Sequence, residues 1–137
     1  HFLAQTHPME SLLPLIDTST RLPQWLKRLN GRKWVFSNGP QHYVEAIVRH
    51  LGIEAQIEGC FGMDSFGLTP KPRVAAYTRV LRQAGLNAER CIMVEDSAAN
   101  LQTAKRLGMR TVWLSHQKRK PVWVDWRITS LLDLRRI

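Results

Sequence analysis

Cys91-Ile92-Met93-Val94-Glu95-Asp96-Ser97-Ala98-Ala99-Asn100, continued by Leu101 to Gly108 and by Arg110-Thr111-Val112-Trp113-Leu114, is the stretch from which the fold can be read. Cys91 to Val94 is an unbroken apolar run, too short for a helix and without alternation, which fits a strand covered on both faces. It stops at two adjacent carboxylates. Ser97 to Leu107 then reads as a helix, with a capping residue at its start and Gly108 just past its end. Arg110 to Leu114 repeats the strand pattern. Strand, helix and strand in such close succession predict a crossover between parallel strands.

The same alternation extends upstream. Hydroxyls at Thr18 to Thr20 precede a helix to about Leu29, in which Leu22, Trp25, Leu26 and Leu29 recur at three- and four-residue spacing. Pro23 is tolerable there because it lies in the first turn, and Asn30-Gly31 closes the helix. Lys33 to Ser37 is a short buried strand broken by Asn38-Gly39-Pro40, and a helix follows from Pro40 to Leu51 with Gly52 as its stop. Glu58 to Met63 is a weaker strand. Pro70-Lys71-Pro72 opens a helix through Ala84, stopped by Gly85. Downstream, Trp126-Arg127-Ile128 and a turn over Leu131–Leu134 finish the chain. The expected fold is α/β, a doubly wound parallel sheet with helices on both faces.

Composition narrows the function classes. The 137 residues suit one domain, and 44% hydrophobic with 23% charged residues is ordinary for a globular chain. Neither an apolar run of membrane-spanning length nor a secretory leader is evident, so a cytoplasmic location is the expectation. Cys60 and Cys91 are too few for a disulfide framework or a CxxC metal site and are expected to be reduced and buried. The formal charge of +9 invites an anionic partner, yet Arg28, Lys33, Arg49, Arg79, Arg82, Arg90 and Arg106 are dispersed. Only Lys118-Arg119-Lys120, followed by Trp123 and Trp126, could form a basic and aromatic nucleic-acid patch, and a solvated loop is the better reading. The five histidines offer no paired metal-ligand spacing.

In a doubly wound sheet, ligands lie outside the carboxyl ends of the strands. Three groups stand there: Ser37-Asn38, Lys71 at a helix start, and Glu95-Asp96. A hydroxyl with neighbouring amides, a lysine and paired carboxylates are what a phosphate and a hard divalent cation require. Taken singly each is unremarkable; Asp96 or Ser97 would serve as a helix N-cap, and Lys71 as a surface lysine. Their joint order carries the inference.

Phe36-Ser37-Asn38, Thr69-Pro70-Lys71-Pro72 and Met93-Val94-Glu95-Asp96-Ser97-Ala98-Ala99-Asn100 resemble the second, third and fourth motifs of the haloacid dehalogenase (HAD) superfamily. Ala104 to Val112 resembles the segment after the fourth motif in many members. Pro8-Met9-Glu10 through Ser37-Asn38 looks most like the pyrimidine 5′-nucleotidase group. The resemblance implies a HAD-like Rossmannoid core and a magnesium-dependent phosphomonoester hydrolase acting on a small phosphorylated metabolite. It implies Ser37 and the amide of Asn38 as phosphate ligands, Lys71 as neutralising cation beside Ser37 in the catalytic set, Asp96 and Glu95 as Mg2+ ligands, and Asn100 as the residue that orients the acidic loop.

The family's nucleophile is an aspartate of a DxDxT motif at the end of the first strand, with a second aspartate as general acid and base. Asp17-Thr18-Ser19-Thr20 departs from that pattern, having Ser19 where the acid belongs, and is read as a helix start. The expectation is therefore a core over residues 15–137, a cap tail or linker over 1–14, and a first strand absent from this sequence. Such a chain is expected to be inactive alone and to fill the vacant central position with an upstream fragment, a strand from a second copy, or a rearranged sheet. Lys71→Met is expected to lower turnover and leave stability nearly unchanged. Two other readings stay open: a phosphoglucomutase-like relative, and a non-catalytic module whose basic tail touches nucleic acid.

Overall fold

The computed structural model describes residues 2–4 and 21–136, with side chains over 21–134. A six-stranded sheet in the order β3-β2-β1-β4-β5-β6 forms its middle layer. Its strands are β1 (Phe2–Ala4), β2 (Lys33–Phe36), β3 (Gly59–Phe61), β4 (Ile92–Glu95), β5 (Arg110–Leu114) and β6 (Trp126–Ile128). The helices are α1 (Arg21–Arg28), α2 (Gln41–His50), α3 (Val74–Ala84) and α4 (Ala98–Arg106), joined by short 3-10 turns.

Both faces of the sheet are covered, and the strand sequences explain how. Every residue of β2 and of β4 is buried, with successive side chains entering opposite layers. Val35, Ile92, Val94 and Val112 pack with Leu22, Leu26, Val44 and Val48 of α1 and α2. Trp34, Phe36, Met93 and Trp113 pack with Ala76, Tyr77, Val80, Leu101 and Ala104 of α3 and α4. Phe36 sits edge-on to both Phe66 and Tyr77, with centroids 5.2 and 5.3 Å apart.

One strand departs from the expected parallel arrangement. β1 runs antiparallel to β2 and to β4, with Phe2 opposite Val35 and Val94 and Ala4 opposite Lys33 and Ile92. The pairs β2–β3, β4–β5 and β5–β6 are parallel. The central position that the sequence left vacant is thus occupied by residues of the same chain, inside the segment read as a cap tail or linker. Asp17, the 14/15 boundary and the motif around Pro8-Met9-Glu10 lie outside the described residues.

Local chemistry sets most element ends. Lys33 is buried, but its ammonium donates to Leu29 O and Gly31 O at 2.7 Å each, carbonyls of the turn that follows α1. Desolvation holds that ammonium below its ordinary pKa, against the opposing charge of Glu58. α3 begins at Val74, later than the Pro70-Lys71-Pro72 reading, because a residue preceding proline is driven out of the helical region. Cys91 is buried and Cys60 half-buried; both are free thiols.

Candidate active site

Three loops meet at the carboxyl ends of β2 and β4. The first is the turn after β2. Ser37 N continues the ladder by donating to Phe61 O at 2.9 Å, and Ser37 Oγ accepts from Gly39 N at 3.0 Å. Asn38 uses its side chain on the second loop: its Oδ1 accepts from Lys71 N at 2.8 Å and its Nδ2 donates to Lys71 O at 3.2 Å. A two-point amide clamp therefore fixes the backbone of Lys71 against the end of β2.

Lys71 is 3% exposed, not a surface residue. Its Nζ donates to Phe36 O at 2.8 Å and to Glu95 Oε1 at 3.1 Å, and lies 4.5 Å from the Phe36 ring centroid. The side chains of this ion pair are both fully buried. Burial pushes the Lys71 ammonium well below its ordinary value, opposed by the charge of Asp96. Burial likewise pushes the Glu95 carboxyl well up, an effect the Ser97 amide and Asn100 oppose. Ion pairing alone would shift each partner the other way, so desolvation dominates both.

The third loop is acidic. Glu95 Oε1 also accepts from Asn100 Nδ2 at 3.1 Å, and Oε2 accepts from Ser97 N at 3.0 Å. Glu95 is thereby a buried bracket between Lys71 and the first turn of α4. Asp96 is the exposed member of the pair, and its carbonyl accepts from Trp113 Nε1 at 3.0 Å. Ser97 caps α4 by accepting from Asn100 N at 3.3 Å. Asn100 is held in turn by Tyr77, whose hydroxyl donates to Asn100 O at 2.6 Å. Thr103 Oγ1 donates to Pro72 O at 2.6 Å and ties α4 to the lysine loop.

All six residues singled out in the sequence, Ser37, Asn38, Lys71, Glu95, Asp96 and Asn100, thus belong to one connected arrangement. Sequence reading missed the side-chain clamp of Asn38 and the supports Tyr77, Thr103 and Trp113. An asparagine at a strand-ending turn is a signal for such a clamp, since its amide can replace a turn's backbone bonds. Tyr77 and Trp113 sit in apolar runs where a polar tip that needs a partner was the available hint.

Magnesium takes hard oxygen ligands, commonly one or two carboxylates completed by water and phosphate oxygens. Asp96, exposed at the strand end, fits that role. Glu95 is occupied by Lys71, Asn100 and the Ser97 amide, which suits it to fixing the loop. Among the described residues no group of three His, Cys, Asp or Glu could hold a metal ion, so the ion would depend on ligands beyond them.

The basic loop lies between β5 and β6. Lys118, Arg119 and Lys120 are exposed, with Lys120 Nζ donating to Val124 O at 2.9 Å. Trp123 is half-buried and donates from Nε1 to Ala98 O at 2.9 Å, whereas Trp126 is exposed. No described helix is long and apolar enough to cross a membrane.

A buried lysine, a hydroxyl turn and an acidic loop, gathered at the carboxyl ends of β2 and β4, define the class: a doubly wound α/β core with a polar site at its strand ends. Residues 5–108 match the model of the haloacid dehalogenase-like hydrolases, and the chain belongs to that family. It is 26% identical over 136 residues to the phosphoglycolate phosphatase of Pseudomonas savastanoi pv. phaseolicola, covering 98% of this chain and 48% of the relative. It is 28% identical over 85 residues to the GMP/IMP nucleotidase of Escherichia coli, covering 62% of this chain and 38% of that protein. The HAD phosphatase of Thermococcus onnurineus superposes with a TM-score of 0.73 at 20% identity, covering 88% of this chain and 56% of that one, a likeness of fold. The chain spans about half the length of the curated relatives it matches.

Proposed function

We propose that the intact protein is a magnesium-dependent phosphomonoester hydrolase acting on a small phosphorylated metabolite. The observation that carries this reading is the Lys71–Glu95 pair: a lysine ammonium stripped of water, braced by Phe36 O and Glu95 Oε1, at the strand ends where Ser37 and Asp96 also stand. A desolvated cation interacts strongly with charge that develops on a phosphoryl group. In this reading Ser37 Oγ and the Asn38 amide receive phosphoryl oxygens and Lys71 neutralises them. Asp96 would hold magnesium, which would supply polarisation of a phosphoryl oxygen. Asn100 and Glu95 fix the acidic loop. The attacking carboxylate is assigned outside the described residues, and the 137-residue chain is expected to be inactive without it.

The activities in the relatives' names, phosphoglycolate phosphatase and GMP/IMP nucleotidase, make 2-phosphoglycolate and purine nucleoside monophosphates the substrates to try first, and the resemblance of Pro8-Met9-Glu10 through Ser37-Asn38 to the pyrimidine 5′-nucleotidase group adds pyrimidine nucleotides to the panel. The test is turnover by full-length protein on this panel, with Ser37→Ala beside it. Magnesium-dependent phosphate release that falls sharply in Ser37→Ala is the expected result. Unchanged turnover in that variant would refute the cradle assigned to Ser37.

A further inference from the structure

The loop that follows β3 is held against the start of α2 by one carboxamide, and that loop in turn contacts the turn that carries Ser37. Gln41, the first residue of α2, donates from Nε2 to Cys60 O at 3.0 Å and to Glu45 Oε1 at 2.9 Å. Its Oε1 accepts from Gly62 N and from Ser65 Oγ, each at 2.5 Å. Both amide protons and both oxygen lone pairs are in use, the full capacity of the group. Around it, Gln41 N donates to Asp64 Oδ1 at 3.2 Å and Met63 N donates to Gly39 O at 2.8 Å. The contact is close enough to exclude a side chain at Gly62, where a Cβ would overlap Gln41 Cα and lie 2.9 Å from Gly39 O.

We infer that Gln41 is a positioning residue for the proposed phosphate cradle, acting through the Gly39 turn on the hydroxyl of Ser37. The inference rests on the phosphoryl-binding reading of Ser37. The path is short. Gln41 and Gly62 lock the loop after β3 against the start of α2; that loop, through Met63 N, holds Gly39 O; and Gly39 N fills one acceptor position of Ser37 Oγ. With that position filled from one side, the Ser37 proton is directed elsewhere and stays available to an anionic oxygen. A slackened turn would let the hydroxyl rotate, and its bond to the phosphate would then have to be formed at an entropic cost.

Binding of inorganic phosphate to the full-length protein, followed by titration calorimetry with magnesium present, tests this without requiring turnover. Ser37→Ala is expected to weaken binding about tenfold, the size of one hydrogen bond to a charged group, and Gln41→Ala by a comparable factor. The double variant should bind no worse than Ser37→Ala alone, because Gln41 acts through Ser37. Independent effects, multiplying to about a hundredfold, would overturn the inference. So would Gln41→Ala that melts earlier yet binds phosphate normally, which is the behaviour of a merely structural residue. Should Gln41→Ala not fold, Gln41→Glu keeps both acceptor contacts, and a partial loss of affinity that vanishes in the Ser37→Ala background is expected. Normal phosphate affinity in Ser37→Ala, or none in the unsubstituted protein, would remove the cradle and the inference with it. A loss in Ser37→Ala with none in either Gln41 variant would overturn the inference alone.

Discussion

Lys71 shows how burial changes the meaning of a residue. Read from its neighbours in the sequence it is a cation facing an anionic site, replaceable without structural cost. In the structure it is fully enclosed against Glu95, and removing one member of a buried pair leaves a charge in a medium that disfavours it. Lys71→Met is therefore expected to destabilise the fold by about 3–5 kcal/mol as well as to abolish turnover. Lys71→Met with Glu95→Gln should regain much of that stability and none of the activity. Urea unfolding of both variants checks this; equal stability of Lys71→Met and the unsubstituted protein would place the pair's charges in water. The motif order showed that lysine and acid belong together, but no linear pattern reveals that Glu95 turns inward while Asp96 stays exposed.

At the scale of elements, loops are fixed by side chains that the sequence offers no periodicity to find. The strand and helix centres were legible because buried strands and three- and four-residue spacing leave a pattern. The end of α3, marked by Gly85, was legible too, whereas its start was displaced by the constraint that Pro72 places on the residue before it. Gly62 is an instance of what was not: its identity is required by the backbone of a residue distant in sequence. Gly62→Ala should cost about 1–3 kcal/mol, since the atoms it meets are backbone and cannot swing aside; a melting temperature equal to that of the parent would show the approach to be looser. Asp125 joins three elements in the same way. Its carboxylate accepts from Lys105 Nζ at 2.8 and 2.7 Å and from Thr111 N at 2.8 Å. Burial would raise this carboxyl, but the Lys105 and Thr111 hydrogen bonds outweigh it and hold the pKa below its ordinary value. A lowered folded-state pKa contributes stability above the unfolded pKa and loses it as pH falls through the folded one. Asp125→Asn should accordingly be less stable at neutral pH, with the difference shrinking below about pH 4. A difference that stays constant into acid would contradict the pairing.

For the whole molecule the decisive feature is the centre of the sheet. β2 and β4 would each present an unpaired edge there, and such edges are costly to bury or leave bare. Sequence reasoning anticipated the gap and the need to fill it, but not a filler drawn from Phe2–Ala4. Those residues form too short a segment to show alternation, and nothing local specifies an antiparallel direction. Leu3→Pro, which deletes a donor between Trp34 and Met93 of the neighbouring strands, should drive the 137-residue chain into oligomers by light scattering; a folded monomer would show that β1 is dispensable. The carboxyl ends of β2 and β4, the strands on either side of β1, carry the proposed chemistry, and there the most direct measurement is phosphate release from p-nitrophenyl phosphate by the full-length protein, with magnesium, with chelator, and in Asp96→Asn. The expected result is turnover that chelator abolishes and Asp96→Asn lacks, with the melting temperature of that variant close to the parent's because Asp96 is exposed. Full magnesium-dependent activity in Asp96→Asn, or no hydrolysis of any phosphomonoester by the intact protein, would contradict the assignment of this site to phosphoryl transfer.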